Sequence, residues 1–200
     1  MSDVSHQAPY AAVVAKLIEP PEFTPEPEPV SGLDDRVPRA TVLQHGPFAR
    51  DPDGIAVIKE RESDDRRLYA LRFDDLSGNR WFWLMAAERH ELGWVAHGVA
   101  GGSDGPAHSD PATPQPSSVG SGPWLNLCGQ WGGETFYAGG ELHAAGAEIG
   151  RVRLTLADGS QLEDDGIGDV SLFIGRRGEP PKTIDVFAPD GTLLSSRKAF

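Results

Sequence analysis

Apolar positions recur with two different periods along this chain. In APYAAVVAKLIEPP, the residues Tyr10, Val13, Val14, Leu17 and Ile18 share one helical face, Pro9 suits a first turn, and Pro20 with Pro21 ends the run. The pattern predicts a short amphipathic helix that is marginal alone and needs a surface to dock on. From residue 54 the period drops to two. GIAVIKERE (54–62), RRLYALRFDD (66–75), NRWFWLMAAE (79–88) and GWVAHGV (93–99) read as a four-stranded meander, with LSGN supplying a tight turn. In NRWFWLM, Trp81, Trp83 and Met85 project from one face of a strand and Phe82 and Leu84 from the other, so both faces demand cover.

Further strands follow at WLNLCGQW (124–131), TFYAGGELHA (135–144), GRVRLTL (150–156), VSLFIG (170–175), TIDVFA (183–188) and the closing TLLSS. Asp158-Gly159 and Asp190-Gly191 lie between such runs and favour hairpins. Val152, Leu154 and Leu156 alternate with Arg151, Arg153 and Thr155, the mark of a sheet with one dry face. Nine or ten strands and one helix predict an all-β, mainly antiparallel fold, a β-sandwich or open barrel with one short N-terminal helix.

Two stretches break the pattern. EPPEFTPEPEPVSGLDD is rich in Pro and Glu and predicts an extended arm. GGSDGPAHSDPATPQPSSVGSGP at 101–123 lacks periodic apolar residues and predicts a loop. The expected division is therefore a helix and arm over 1–39 and one β-sandwich domain over 40–200, interrupted at 101–123. RVRLTLADGSQLEDD, followed by VSLFIG and IDVFAPDGTLL, resembles the end of bacterial immunoglobulin-like sandwich modules over the last third of the chain. The resemblance implies a sandwich shape and carries no active site, because the paired cysteines around a central tryptophan are missing.

Charge and cysteine content narrow the partners. A net charge of −12 argues against binding a nucleic-acid backbone or an anionic membrane surface. The single cysteine, Cys128, cannot form an internal bridge, and no apolar run has signal-peptide or membrane-span character. The expectation is a soluble cytoplasmic protein.

Candidate chemistry is sparse. His90 and His97 are seven apart with Gly93 and Trp94 between them, which is not zinc-protease spacing, and on one strand their rings would face opposite ways. Glu163, Asp164, Asp165 and Asp169 lack the alternating ligands of a calcium loop and read as a solvated turn. Cys128 has no neighbouring base or cation and reads as a partly buried, inert thiol. No catalytic, metal or cofactor site is expected, so the enzyme reading ranks below two others. One is a noncatalytic protein acting through protein contacts, as a homo-oligomer or accessory subunit, with the helix residues Tyr10, Val13, Val14, Leu17 and Ile18 as the interface. The other is a small-ligand or carbohydrate-binding module using an aromatic face drawn from Trp81, Trp83, Trp94, Trp124 and Trp131.

Overall fold

The computed structural model describes residues 4–18, 47–106, 122–131, 134–166, 168–176 and 179–199. The Pro/Glu-rich arm and most of the 101–123 stretch lie outside them. Among the described residues the chain forms one α-helix, α1 (Val4–Ile18), a single 3-10 turn at Pro52–Gly54 and eleven strands. β1 (Ala56–Ser63), β2 (Arg66–Asp74), β3 (Asn79–His90) and β4 (Gly93–Pro106) form an antiparallel meander in the order β1-β2-β3-β4. β5 (Trp124–Gln130), β6 (Thr135–His143) and β9 (Val170–Arg176) form a second sheet in the order β5-β6-β9. β7 (Arg151–Leu156), β8 (Gln161–Asp164), β10 (Pro181–Phe187) and β11 (Leu193–Lys198) form a third, ordered β11-β10-β7-β8.

The β5-β6-β9 sheet is the middle layer. Leu68, Ala70, Phe82, Leu84 and Ala86 of the first sheet pack on its Tyr137, Val170, Leu172 and Ile174. Its opposite face, with Leu125, Phe136, Ala138, Leu142 and Phe173, packs on Val152, Leu154, Leu156 and Ile184 of the third sheet. Burial on both faces removes the wet–dry alternation, and β9 is buried from Val170 through Gly175. β6 meets the crowding with small residues: a Cβ at Gly140 would overlap the carbonyl oxygen of Asn126, and one at Gly139 would press into Leu172.

β3 lies inside the first sheet, and its two faces are covered by different partners. Phe82 and Leu84 face the middle sheet, while Trp81, Trp83 and Met85 face α1 and the chain leading into β1. α1 starts at Val4, so Pro9 sits in its second turn rather than its first.

Two strands depart from expectation. β4 runs on to Pro106 through GGSDGP, because its backbone keeps pairing with β3, with register shifts beside Trp81 and Met85. β8, QLED, was not expected as a strand; it pairs with β7 across the Asp158-Gly159 turn, where Gly159 has φ +86°. Four Asp side chains accept an amide two residues on and so hold tight turns: Asp51 from Asp53, Asp75 from Ser77, Asp158 from Ser160 and Asp190 from Thr192.

Candidate functional site

The outer face of the first sheet is an aromatic groove with α1 seated in it. Val13 and Leu17 are buried there against Tyr69, Leu71, Phe73, Met85 and Ala87, with Tyr10 and Val14 half-buried beside them and Ile18 exposed. The Tyr10 ring lies 5.9 Å from that of Tyr69, and its hydroxyl donates to the Ile55 carbonyl at 3.4 Å. Burial raises the pKa of both phenols, helped at Tyr69 by the Glu60 charge, so both stay protonated.

Three of the five tryptophans belong to this groove. Trp81 donates its indole N–H to Asp75 at 2.8 Å and meets Trp83 edge-on, with centroids 5.7 Å apart. Trp83 lies against β4 at Gly98 and Gly101, where any side chain on Gly101 would strike the indole. Trp94 faces the Arg67 guanidinium at 5.5 Å, and Glu62 holds that guanidinium at 2.7 Å. Trp124 and Trp131 are elsewhere, on or beside the middle sheet. Trp124 stacks on His143 at 4.1 Å and Trp131 on Phe136 at 6.2 Å. The candidate aromatics therefore do not share one face: Trp81, Trp83 and Trp94 belong to the groove covered by the chain's own helix, while Trp124 and Trp131 stack on different partners at opposite ends of β5.

A polar cluster sits where the first sheet meets the middle one. Tyr137, almost fully buried, donates its hydroxyl to Glu88 at 2.5 Å, and His97 packs edge-on to the Tyr137 ring at 5.6 Å. Burial lowers the His97 pKa, against an opposing pull from Glu88. His90 approaches the same carboxylate at 3.9 Å, so the two histidines occupy the two arms of the β3–β4 hairpin rather than one strand. Burial, with the Glu141 charge second, pushes the Cys128 thiol up to about 11. This arrangement ties layers together: it offers a phenol already engaged, a neutral imidazole and a protonated thiol.

The LEDD run is not simply a solvated turn. Asp164 is 6 % exposed and accepts from Lys59 Nζ at 2.7 Å, Arg61 at 2.8 Å and the Leu172 amide at 3.2 Å. Lys59 and Arg61 also donate to the carbonyls of Val170 and Leu172. One carboxylate thus joins β1, β8 and the outer edge of β9, one strand from each sheet, and β9 finds side-chain partners where a neighbouring strand would otherwise be. Among the described residues, no group of three or more His, Cys, Asp or Glu is placed to hold a metal ion.

At the opposite edge, β5 and the β10–β11 hairpin leave a cleft of about 250 Å³. Leu125 and Leu127 form one wall and Ile184 and Val186 the other, with Trp124, Ser195, Arg197 and Lys198 also lining it. No helix among the described residues is long and apolar enough to cross a membrane. No protein-family model matches the chain, and no curated protein or solved structure is similar enough to place it in a family.

Proposed function

We propose that this is a noncatalytic β-sandwich protein that works through protein contacts, made by seating α1 in the aromatic groove of the first sheet. The seated helix is the chain's own in the monomer and that of a second copy in a homo-oligomer. The observation that carries this reading is the position of the two ends of the arm. The Ala49 amide donates to the Leu17 carbonyl at 2.9 Å, so the chain leaves α1 and re-enters the domain at nearly the same point. A turn of a few residues would close that gap, yet residues 19–46 lie between. At ~3.3 Å per residue that segment has a contour on the order of 90 Å, enough to reach a neighbouring copy. A swapped pair repeats the monomer's contacts and costs only association entropy.

Residues 124–198 are read in the same proposal as an immunoglobulin-like sandwich. Counting β5 to β11 as one to seven, the sheets run 1-2-5 and 7-6-3-4. A constant-type immunoglobulin domain runs 1-2-5-4 and 7-6-3, so only the fourth strand has changed sheets. Such sandwiches serve as scaffolds for contacts of many kinds, which suits a binding protein without itself naming the partner.

The test compares the full chain with a variant in which residues 19–46 are replaced by six Gly/Ser residues, enough for docking within one chain and too few for exchange. Mass in solution should shift toward dimer for the full chain between ~10 μM and ~1 mM, because a flexible tether gives an effective concentration in the millimolar range. The short-linked variant should stay monomeric and equally stable. Identical masses for the two chains across that range would sink helix exchange.

A further inference from the structure

We propose that the free edge of β5 takes an extended segment of a partner protein as a fourth strand of the middle sheet. This site is separate from the α1 groove and does not depend on helix exchange. The layers do not match in width: among the described residues the middle sheet has three strands, and the sheets on either side of it have four each. Asp164 of β8 accepts from the Leu172 amide of β9, so β8 lies opposite β9. Counting across from there sets β7 opposite β6 and β10 opposite β5, and it leaves β11 facing a strip beside β5. At one end of that strip the chain entering β5 rests on β11, where Ser195 Oγ donates to the Pro123 carbonyl at 2.6 Å. Further along, the layers part and leave the cleft of about 250 Å³, walled by Leu125 and Leu127 of β5 with Ile184 and Val186 of β10.

β5 also lacks the devices that guard the other edges. Its seven residues carry no charge and no proline, and they pair with β6 without a register shift. By contrast, β1 and β4 are kinked by register shifts, β8 is four residues long, and Lys59 and Arg61 occupy carbonyls of β9. β11 has a register shift and ends in Arg197 and Lys198. In an antiparallel edge strand every second residue turns its N–H and C=O outward, so β5 offers a ladder to a strand laid along it. The side chains of an added strand alternate as those of β5 do. One set meets Leu125, Leu127 and the cleft, which suits Val or Leu, since an apolar cavity of roughly 150 Å³ already accommodates benzene. The other set meets the row of Trp124, Asn126, Cys128 and Gln130, which suits small uncharged polar groups such as Thr.

The chain's own segments do not supply this strand. Residues 107–121 hold Pro111, Pro114 and Pro116, which break a ladder. Residues 39–45 lack proline but are tethered on the wrong side. Ala49 pairs with Asp75, whose amide is bonded to β3, so Ala49 lies on the side of β2 that β1 occupies. The chain from His45 to Ala49 reaches ~13 Å, against roughly 20 Å of strand spacings and one layer to the far side of β5. A second copy brings another net charge of −12, which disfavours it and favours a segment flanked by Lys or Arg.

The probe is the peptide acetyl-Lys-Thr-Val-Thr-Leu-Thr-Val-Lys-amide, titrated into the full-length chain and followed by ¹H–¹⁵N shifts and amide hydrogen exchange. Saturable shifts are expected along β5, with every second β5 amide exchanging roughly tenfold more slowly in the complex. N-methylation of alternate peptide amides separates two sets: methylating the set turned toward β5 should abolish binding, and methylating the other should change it by less than about twofold. Leu127→Lys, in the wall of the cleft, should weaken binding roughly tenfold while signals from the first sheet stay in place. Asp in place of the peptide's Leu should do the same with no change to the protein. Absence of saturable shifts, equal loss from both methylation sets, or shifts centred on β1 or β4 would each overturn the proposal. Slow exchange of alternate outward β5 amides in the free chain would also overturn it: at monomer mass the chain fills the edge itself, and at dimer mass a second copy does.

Discussion

Replacing Asp164 with Asn tests whether one buried carboxylate holds three sheets together. The substitution keeps the side-chain shape and removes the charge, so Lys59 and Arg61 lose their shared counterion while the Val170 and Leu172 carbonyls remain as acceptors. Breaking a fully buried ion pair costs about 3–5 kcal/mol. Here the lower end applies, because the Lys59 and Arg61 side chains are 17 % and 32 % exposed and Lys59 keeps Asp165 at 2.8 Å. About 2–3 kcal/mol is therefore expected, allowing for partial hydration of the two cations. Urea unfolding should record it as a lower midpoint with unchanged slope, and a thermal scan as a fall of roughly 5–10 °C. Asp165→Asn is the control: with its side chain 59 % exposed it should cost under about 0.5 kcal/mol. Adding Arg61→Met to Asp164→Asn should recover part of the loss by removing a cation that has lost its carboxylate partner. If Asp164→Asn costs no more than Asp165→Asn, the carboxylate is a surface charge in energetic terms and the bridging account fails.

Four further outcomes follow from the same geometry. Gly140→Ala should destabilise by about 3 kcal/mol or more in chemical denaturation, because the added methyl must drive β5 from β6 at Asn126; a cost below ~1 kcal/mol would mean the sheets are looser than described. Cys128 should react with iodoacetamide at pH 7.5 roughly a few hundredfold more slowly than a free thiol near pKa ~8.5, and its rate should climb with pH without levelling off before about 11. A plateau near pH 8.5 would refute the burial argument. Burial pushes the Asp75 pKa upward, but donors from Asn79, Trp81 and Ser77 together outweigh it and leave the pKa lowered. The stability this contributes is full above the ordinary carboxylate range and is lost as pH falls through the depressed value, so Asp75→Asn should flatten the acid end of a stability–pH curve. Leu17→Ala should raise quenching of tryptophan fluorescence by acrylamide as α1 detaches more often, and unchanged quenching would show that Leu17 is not what seats the helix.

What could be read from the residues ahead of the structure was what each strand's own alternation carries. Trp81, Trp83 and Met85 separate from Phe82 and Leu84 by parity alone, and the hairpins at Asp158-Gly159 and Asp190-Gly191 declare themselves by turn chemistry. β8 did not, because QLED offers one apolar side chain, Leu162, and no run of alternation. The last residues of β4 did not either, since GGSDGP has almost no side chains to alternate and is held by backbone pairing with β3. Sheet membership is a tertiary property: nothing local in WLNLCGQW says that Trp124 joins a different sheet from Trp83. The burial of Asp164 was equally hidden, because its cations stand 105 and 103 residues upstream. The cleft at β5 depends on how two sheets stack, and no single strand encodes that.

The middle sheet is made late in the chain, and that sets an order of events during synthesis. The first sheet is complete at Pro106, but the strand that caps much of its inner face, β9, ends at Arg176. At 5–20 residues per second the intervening stretch takes on the order of ten seconds to emerge. For that interval Leu68, Ala70, Phe82, Leu84 and Ala86 have no sheet to face, while the opposite side can already receive α1, which leaves the ribosome ahead of the first sheet. The helix therefore shields one of the two apolar faces that the nascent first sheet presents to its neighbours.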